Sequence, residues 1–141
     1  MFKLALDLKV PYKDIQELFR RMVFNVVFAN IDDHLKNHSF MYTTDTNSWK
    51  LAPAYDLTYP LNINLNYRNV SRALSINNKR DRINFEDVMS IAEEFAIKNP
   101  KGIIQEVQEV RKSWKPLSKE LQIPPKISTA ISKEFSTLIQ E

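Results

Sequence analysis

The chain has 141 residues, 43% of them apolar, with a formal net charge of +3 and an isoelectric point near 9.1. That is enough apolar sequence for one domain with a hydrophobic core, and too small a basic excess for a dedicated nucleic-acid binder. The absence of cysteine excludes a disulfide framework and any thiolate metal site. No apolar run reaches the roughly 18 residues of a membrane span, and the opening MFKLALDLKV is too charged for a signal peptide. A cytoplasmic protein without membrane contact is expected.

Residues 12–29 predict the first helix, with Ile15, Leu18, Phe19, Met22, Val23 and Val26 on one apolar face and Asp14 as N-cap. The polar stretch 30–37 has no periodicity and reads as a loop. Two strand-like runs, 39–43 and 49–52, flank the turn residues 44–48 and predict a hairpin over 39–52. Pro53 ends the second strand, because it cannot donate to a ladder. A loop over 53–60 carries Asp56, and an irregular basic segment runs over 61–82, with 73–76 as a short strand inside it.

Three helices follow. The first, 84–97, opens on Asn84 with Asp87 three residues on. The second, 100–115, has Asn99 as N-cap and Pro100 at its first position. The third, 124–140, opens on Pro124-Pro125 and carries Ile127, Ile131, Phe135 and Leu138 inward. Trp49 and Trp114 read as core. The predicted fold class is mainly α with a small β-hairpin inserted after the first helix.

Asp32 and Asn37 stand at the spacing D-x-x-x-x-N. Kinase catalytic loops use this spacing so that the Asp accepts a substrate hydroxyl proton while the Asn reaches a Mg²⁺ on the phosphates. A second metal carboxylate then comes from the loop after a hairpin, which is where Asp56 lies, 19 residues past Asn37. Each residue alone also reads as an Asx cap or turn residue. The order of helix, Asp/Asn loop, hairpin and Asp loop is what points to phosphate chemistry.

The wider string N-I-D-D-H-L-K-N-H-S-F, followed by W-K-L-A-P-A-Y-D-L, resembles the HipA family of bacterial serine/threonine kinases, the toxins of type II toxin–antitoxin modules. Phe24-Asn25, Leu74-Ser75-Ile76-Asn77, Lys79-Arg80 and the helical stretch from Phe85 to Trp114 extend the resemblance to that family's C-terminal domain, over about 12–140. The resemblance implies the C-terminal, helical lobe of a kinase-like fold. It implies Asp32 as catalytic base, Asn37 and Asp56 as Mg²⁺ ligands, and ATP as phosphoryl donor. It also implies a protein hydroxyl as acceptor, in known members on an aminoacyl-tRNA synthetase, and a HipB-type antitoxin through which DNA is met only indirectly.

The neighbouring residues carry plainer alternatives. Asp33 either accepts hydrogen bonds that hold the loop or is an exposed turn residue. His34 and His38 are expected to bond loop backbone. Lys36 either approaches the transferred phosphoryl group as a point charge or is solvated. Tyr55 is expected to pack against the hairpin. Arg68, Arg72, Lys79, Arg80 and Arg82 against Asp81 leave the segment 68–82 at +4. It reads either as a surface for an acidic partner or phosphates, or as a solvated loop.

Gly102 is the single glycine, so a glycine-rich phosphate-covering loop is missing, and the stretch before Asp32 has no room for an N-terminal lobe. The chain therefore reads as a C-terminal domain taken alone, a split or truncated gene product, or a remnant without activity. The rival reading is a non-catalytic interaction module that binds an antitoxin or regulatory partner. A metal-dependent nuclease built on Asp32, Asp33, His34 and His38 would leave the hairpin and Asp56 without a purpose.

Overall fold

The computed structural model describes residues 1–60 and 71–139. The chain opens with α1 (Phe2–Asp7) and α2 (Tyr12–Val27), and then enters a loop containing a 3₁₀ turn at Leu35–Asn37. A hairpin of β1 (Phe40–Thr43) and β2 (Ser48–Leu51) follows. Beyond the basic segment come α3 (Phe85–Glu94), α4 (Pro100–Val110), α5 (Trp114–Glu120) and α6 (Pro125–Lys133). The architecture is mainly helical with one two-stranded antiparallel hairpin, as expected. No helix among the described residues is long and apolar enough to cross a membrane.

Helix α2 is the hub. Its Leu18, Phe19, Val23 and Val27 are at most 2% exposed, and they pack with Ile103, Ile104 and Val107 of α4 and Ala5 of α1. Burying each such side chain contributes about 1.5–3 kcal/mol. The helix begins at Tyr12 with Pro11 as N-cap, so Asp14 lies inside the first turn and does not cap it. Its Oδ2 instead accepts the Leu51 backbone N–H at 2.8 Å. Arg21, also on α2, donates through Nη2 to the Ala52 carbonyl at 2.9 Å and through Nε to Glu17. These two side chains clamp the end of β2 to the hub, which fixes where the following Asp56 loop starts. The hairpin pairs Phe40 with Leu51 and Thr43 with Ser48, and an Ala52 N–H to Ser39 carbonyl bond extends it over the predicted 39–52.

Helix α1 and the separate start of α5 are not expected from the sequence, the caps at Asn84 and Asn99 are as the sequence predicts, and the helix ends differ. Asn84 and Asp87 form a reciprocal capping box, and the Asn99 side chain accepts the Gly102 N–H. Helix α3 stops at Glu94, because Ala96 turns left-handed (φ 50°) and Ile97 bonds back to the Ala92 carbonyl. The predicted helix over 100–115 is broken by a 3₁₀ passage at Arg111–Ser113. Pro116 explains the break: in a continuous helix its ring would meet the Lys112 carbonyl, whereas a first turn tolerates it. Helix α6 ends at Lys133, short of the predicted 140, which lies outside the described residues. The chain beyond it crosses back, with Ser136 N–H on the Val27 carbonyl and Leu138 3% exposed in the core. The predicted strand over 73–76 is only an isolated bridge between Ile76 and Lys79. Trp49 and Trp114 are half-buried, Trp114 lying edge-on to Phe135 at 5.6 Å.

Candidate active site

The loop after α2 begins with a left-handed residue, Ala29 (φ 55°), and with Asn30, whose Nδ2 donates to the Asn25 side chain at 3.1 Å. The two adjacent carboxylates then separate. The Asp32 side chain is 56% exposed and that of Asp33 is 4% exposed. Asp33 does not sit in solvent: its Oδ2 pairs with Nη2 of Arg72 and its Oδ1 accepts the Leu74 N–H at 3.2 Å. Of its two sequence readings, holding the loop is the one observed.

Asn37 lies in the 3₁₀ turn, and its Nδ2 donates to the Asp32 carbonyl at 2.9 Å. This closes the loop on itself and sets the amide orientation, leaving Oδ1 available to a cation. Asp56 is exposed and left-handed (φ 54°), a conformation that Asp tolerates better than most residues. The Tyr55 hydroxyl donates to the Lys36 carbonyl at 2.7 Å, so Tyr55 ties the two loops together. Asn37, Asp56 and Tyr55 line one small depression with Asn25, Asp33 and His38. Asp32 and Lys36 are exposed on the loop outside that lining.

The donor set fits a hard cation. An amide oxygen and a carboxylate at one depression are the oxygen ligands Mg²⁺ accepts while keeping waters and phosphate oxygens. No group of three or more His, Asp or Glu that would hold a metal occurs among the described residues. The four residues of the nuclease reading are therefore not brought together, and Asp33 is already committed to Arg72.

The histidines differ from expectation. His34 Nδ1 and His38 Nδ1 are buried without a hydrogen-bond partner among the described residues, so neither makes the expected backbone bond there. His34 Nε2 stands 3.8 Å from Asp32 Oδ1, too far for a hydrogen bond. Burial, followed by the charge of Arg21, pushes the His38 pKa below its ordinary value, so the ring is neutral near pH 7.

Within the basic segment, Arg72 is buried and Lys79, Arg80 and Arg82 are exposed. Arg72 is 5% exposed and donates through Nη1 to the Asn25 carbonyl at 3.2 Å. Arg80 donates to the carbonyls of Arg72 and Ala73, and Lys79 pairs with buried Asp87 on α3. Arg72 is thus neither a partner surface nor a solvated residue, whereas Lys79 and Arg80 remain exposed while bonding within the protein; Arg68 lies outside the described residues. Arg72 is the residue that sequence reasoning missed. The one available signal was its place four residues before Ile76, in a run of apolar and small residues.

A family model described as HipA-like C-terminal domain matches residues 1–114. A curated protein named "Putative kinase Y4dM", from Sinorhizobium fredii (strain NBRC 101917 / NGR234), is 26% identical over 141 residues. The alignment covers 95% of this chain and 33% of that protein, so the chain spans about a third of the relative's length. No solved structure gives a significant match.

Proposed function

Because the chain belongs to the family of HipA-like C-terminal domains, we propose that it is the catalytic-loop lobe of a serine/threonine protein kinase, completed by an N-terminal lobe. The observation that carries this reading is the shared depression of Asn37 and Asp56, beside a loop whose Asp32 carbonyl holds the Asn37 amide.

In this reading the exposed Asp32 carboxylate accepts the proton of a Ser or Thr hydroxyl. The hydroxyl oxygen bonds to the γ-phosphorus of ATP, and the bond from that phosphorus to the ADP oxygen breaks. Asn37 Oδ1 and the Asp56 carboxylate hold Mg²⁺, which when bound offsets charge on the phosphates. Lys36, exposed on the same loop, offers a mobile positive charge to the transferred group. The N-terminal lobe supplies the phosphate-covering loop that a chain with one glycine lacks. A HipB-like antitoxin and a protein substrate are the proposed partners.

The test is phosphotransfer from ATP to protein by the full-length protein containing this chain. Asp32→Ala is expected to lower kcat by about 10²–10⁴-fold, the usual contribution of a general base. Unchanged kcat would remove Asp32 from that role. No transfer under any Mg²⁺ condition would favour the non-catalytic module.

A further inference from the structure

We infer that Arg72 is a positioning residue for this centre, acting through Asp33, whose carboxylate it holds inside the fold so that the adjacent Asp32 is presented outward. The inference rests on the catalytic reading of Asp32 and deepens it.

Three observations support it. The first is the opposite exposure of two adjacent carboxylates. Nothing in the pair Asp32-Asp33 itself says which one turns in, and the buried guanidinium selects Asp33. The second is the reach of that guanidinium. One Arg72 side chain touches the Asn25 carbonyl near the end of α2, the Asn30 carbonyl at 3.5 Å, and Asp33. It thus bridges the rigid hub to both ends of the first four loop residues. Lysine, a point donor on a flexible stem, cannot make this fork.

The third is that Arg72 is itself anchored. Its backbone N–H bonds to the Arg80 carbonyl at 2.8 Å, and the Ala73 N–H bonds to the Ile31 carbonyl at 2.8 Å. Arg80 Nε returns to the Arg72 carbonyl, and Lys79 and Asn77 fasten the same turn to Asp87 of α3. The loop is laid on a template built from residues about 40 positions later, and that template is fixed to a helix. A base must be held within hydrogen-bond reach of the hydroxyl it serves, so tilting this template misplaces Asp32 without touching it.

The experiment measures kcat and KM of the full-length protein with Arg72→Ala, Arg72→Lys, Asp33→Asn and the double variant Asp33→Asn/Arg72→Ala. Arg82→Ala is the control, an exposed arginine of the same segment. Both Arg72 variants are expected to lose about 100-fold in kcat, with KM for ATP little changed. The double variant is expected to be no worse than the worse single variant, because the two residues act as one unit. Millimolar guanidinium is expected to restore part of the kcat of Arg72→Ala and none of that of Asp32→Asn. Amide exchange supplies a readout independent of turnover. In Arg72→Lys, amides 33–38 exchange faster while those of α4 keep their protection.

Normal kcat in both Arg72 variants, with Asp32→Asn inactive, overturns this inference and leaves the functional reading standing. A kcat loss that guanidinium does not relieve and that tracks the unfolded fraction also overturns it, making Arg72 merely structural. Absence of transfer by the unsubstituted protein overturns the functional reading, and this inference with it.

Discussion

At the scale of single residues, the loop is governed by where carboxylates are allowed to be. A buried carboxylate needs a cation and hydrogen bonds, and Asp33 has both; an exposed one needs neither, and the Asp32 carboxylate has, among the described residues, only a distant histidine. Removing one partner of a buried ion pair leaves the other charge uncompensated, which costs about 3–5 kcal/mol. Asp33→Ala is therefore expected to destabilise the protein by that amount in denaturant unfolding, while Asp32→Ala leaves stability nearly unchanged. Asp87 is the second buried carboxylate. Burial acts to raise its pKa, but bonds from Lys79, the Asn84 N–H and Asn77 outweigh burial and hold it below the ordinary 3.8. A carboxyl depressed in the folded state contributes stability that is fully present above the unfolded pKa and is lost as pH falls through the folded one. Acid titration should thus show stability falling below about pH 3.8, with part of that slope absent in Asp87→Asn.

At the scale of elements, a chain with one glycine must end its helices with other residues. Lys9, Ala96 and Gln122 occupy left-handed positions at the ends of α1, α3 and α5 (φ 53°, 50° and 55°). In each case the next residue bonds back five positions: Val10 to Ala5, Ile97 to Ala92 and Ile123 to Ser118. This is the usual glycine-ended helix stop, made without glycine. A left-handed conformation costs a non-glycine residue about 1–2 kcal/mol, partly offset by the lower entropy of its unfolded state. Ala96→Gly is accordingly expected to raise stability by about 0.5–1 kcal/mol, read as a higher urea midpoint at unchanged slope. A lower midpoint would mean that the exposed Ala96 methyl contributes more than its backbone strain removes.

At the scale of the whole molecule, the described residues carry the Asp32–Asn37 loop and the Asp56 loop on a helical hub, and the chain covers a third of its relative's length. ATP clamped from one side only loses the contacts of the other lobe. This chain alone is expected to bind Mg²⁺–ATP at millimolar affinity or weaker in calorimetry, and micromolar binding would contradict the two-lobed reading. The local parts of this architecture were legible in the sequence because their causes lie within a few residues. The Asn84–Asp87 box, the Asn99-Pro100 start and the turn between the strands are each made by neighbours in the chain. The Asn37-to-Asp32 bond is as local, spanning five residues, but the spacing alone did not show it. Other features depended on partners far away. Asp14 reads as a cap until β2 presents the Leu51 N–H, 37 residues on. Arg72 reads as a surface charge until Asp33, 39 residues earlier, meets it inside the fold. The sequence by itself determined the hub helix, the starts at Asn84 and Asn99, the hairpin and which residue types line the loops, because hydrogen-bond rings and apolar periodicity are short-range; α1 and the break before α5 it did not show. Only the tertiary structure decided which carboxylate faces in, because that choice depends on a cation brought from a distant segment into a place without water.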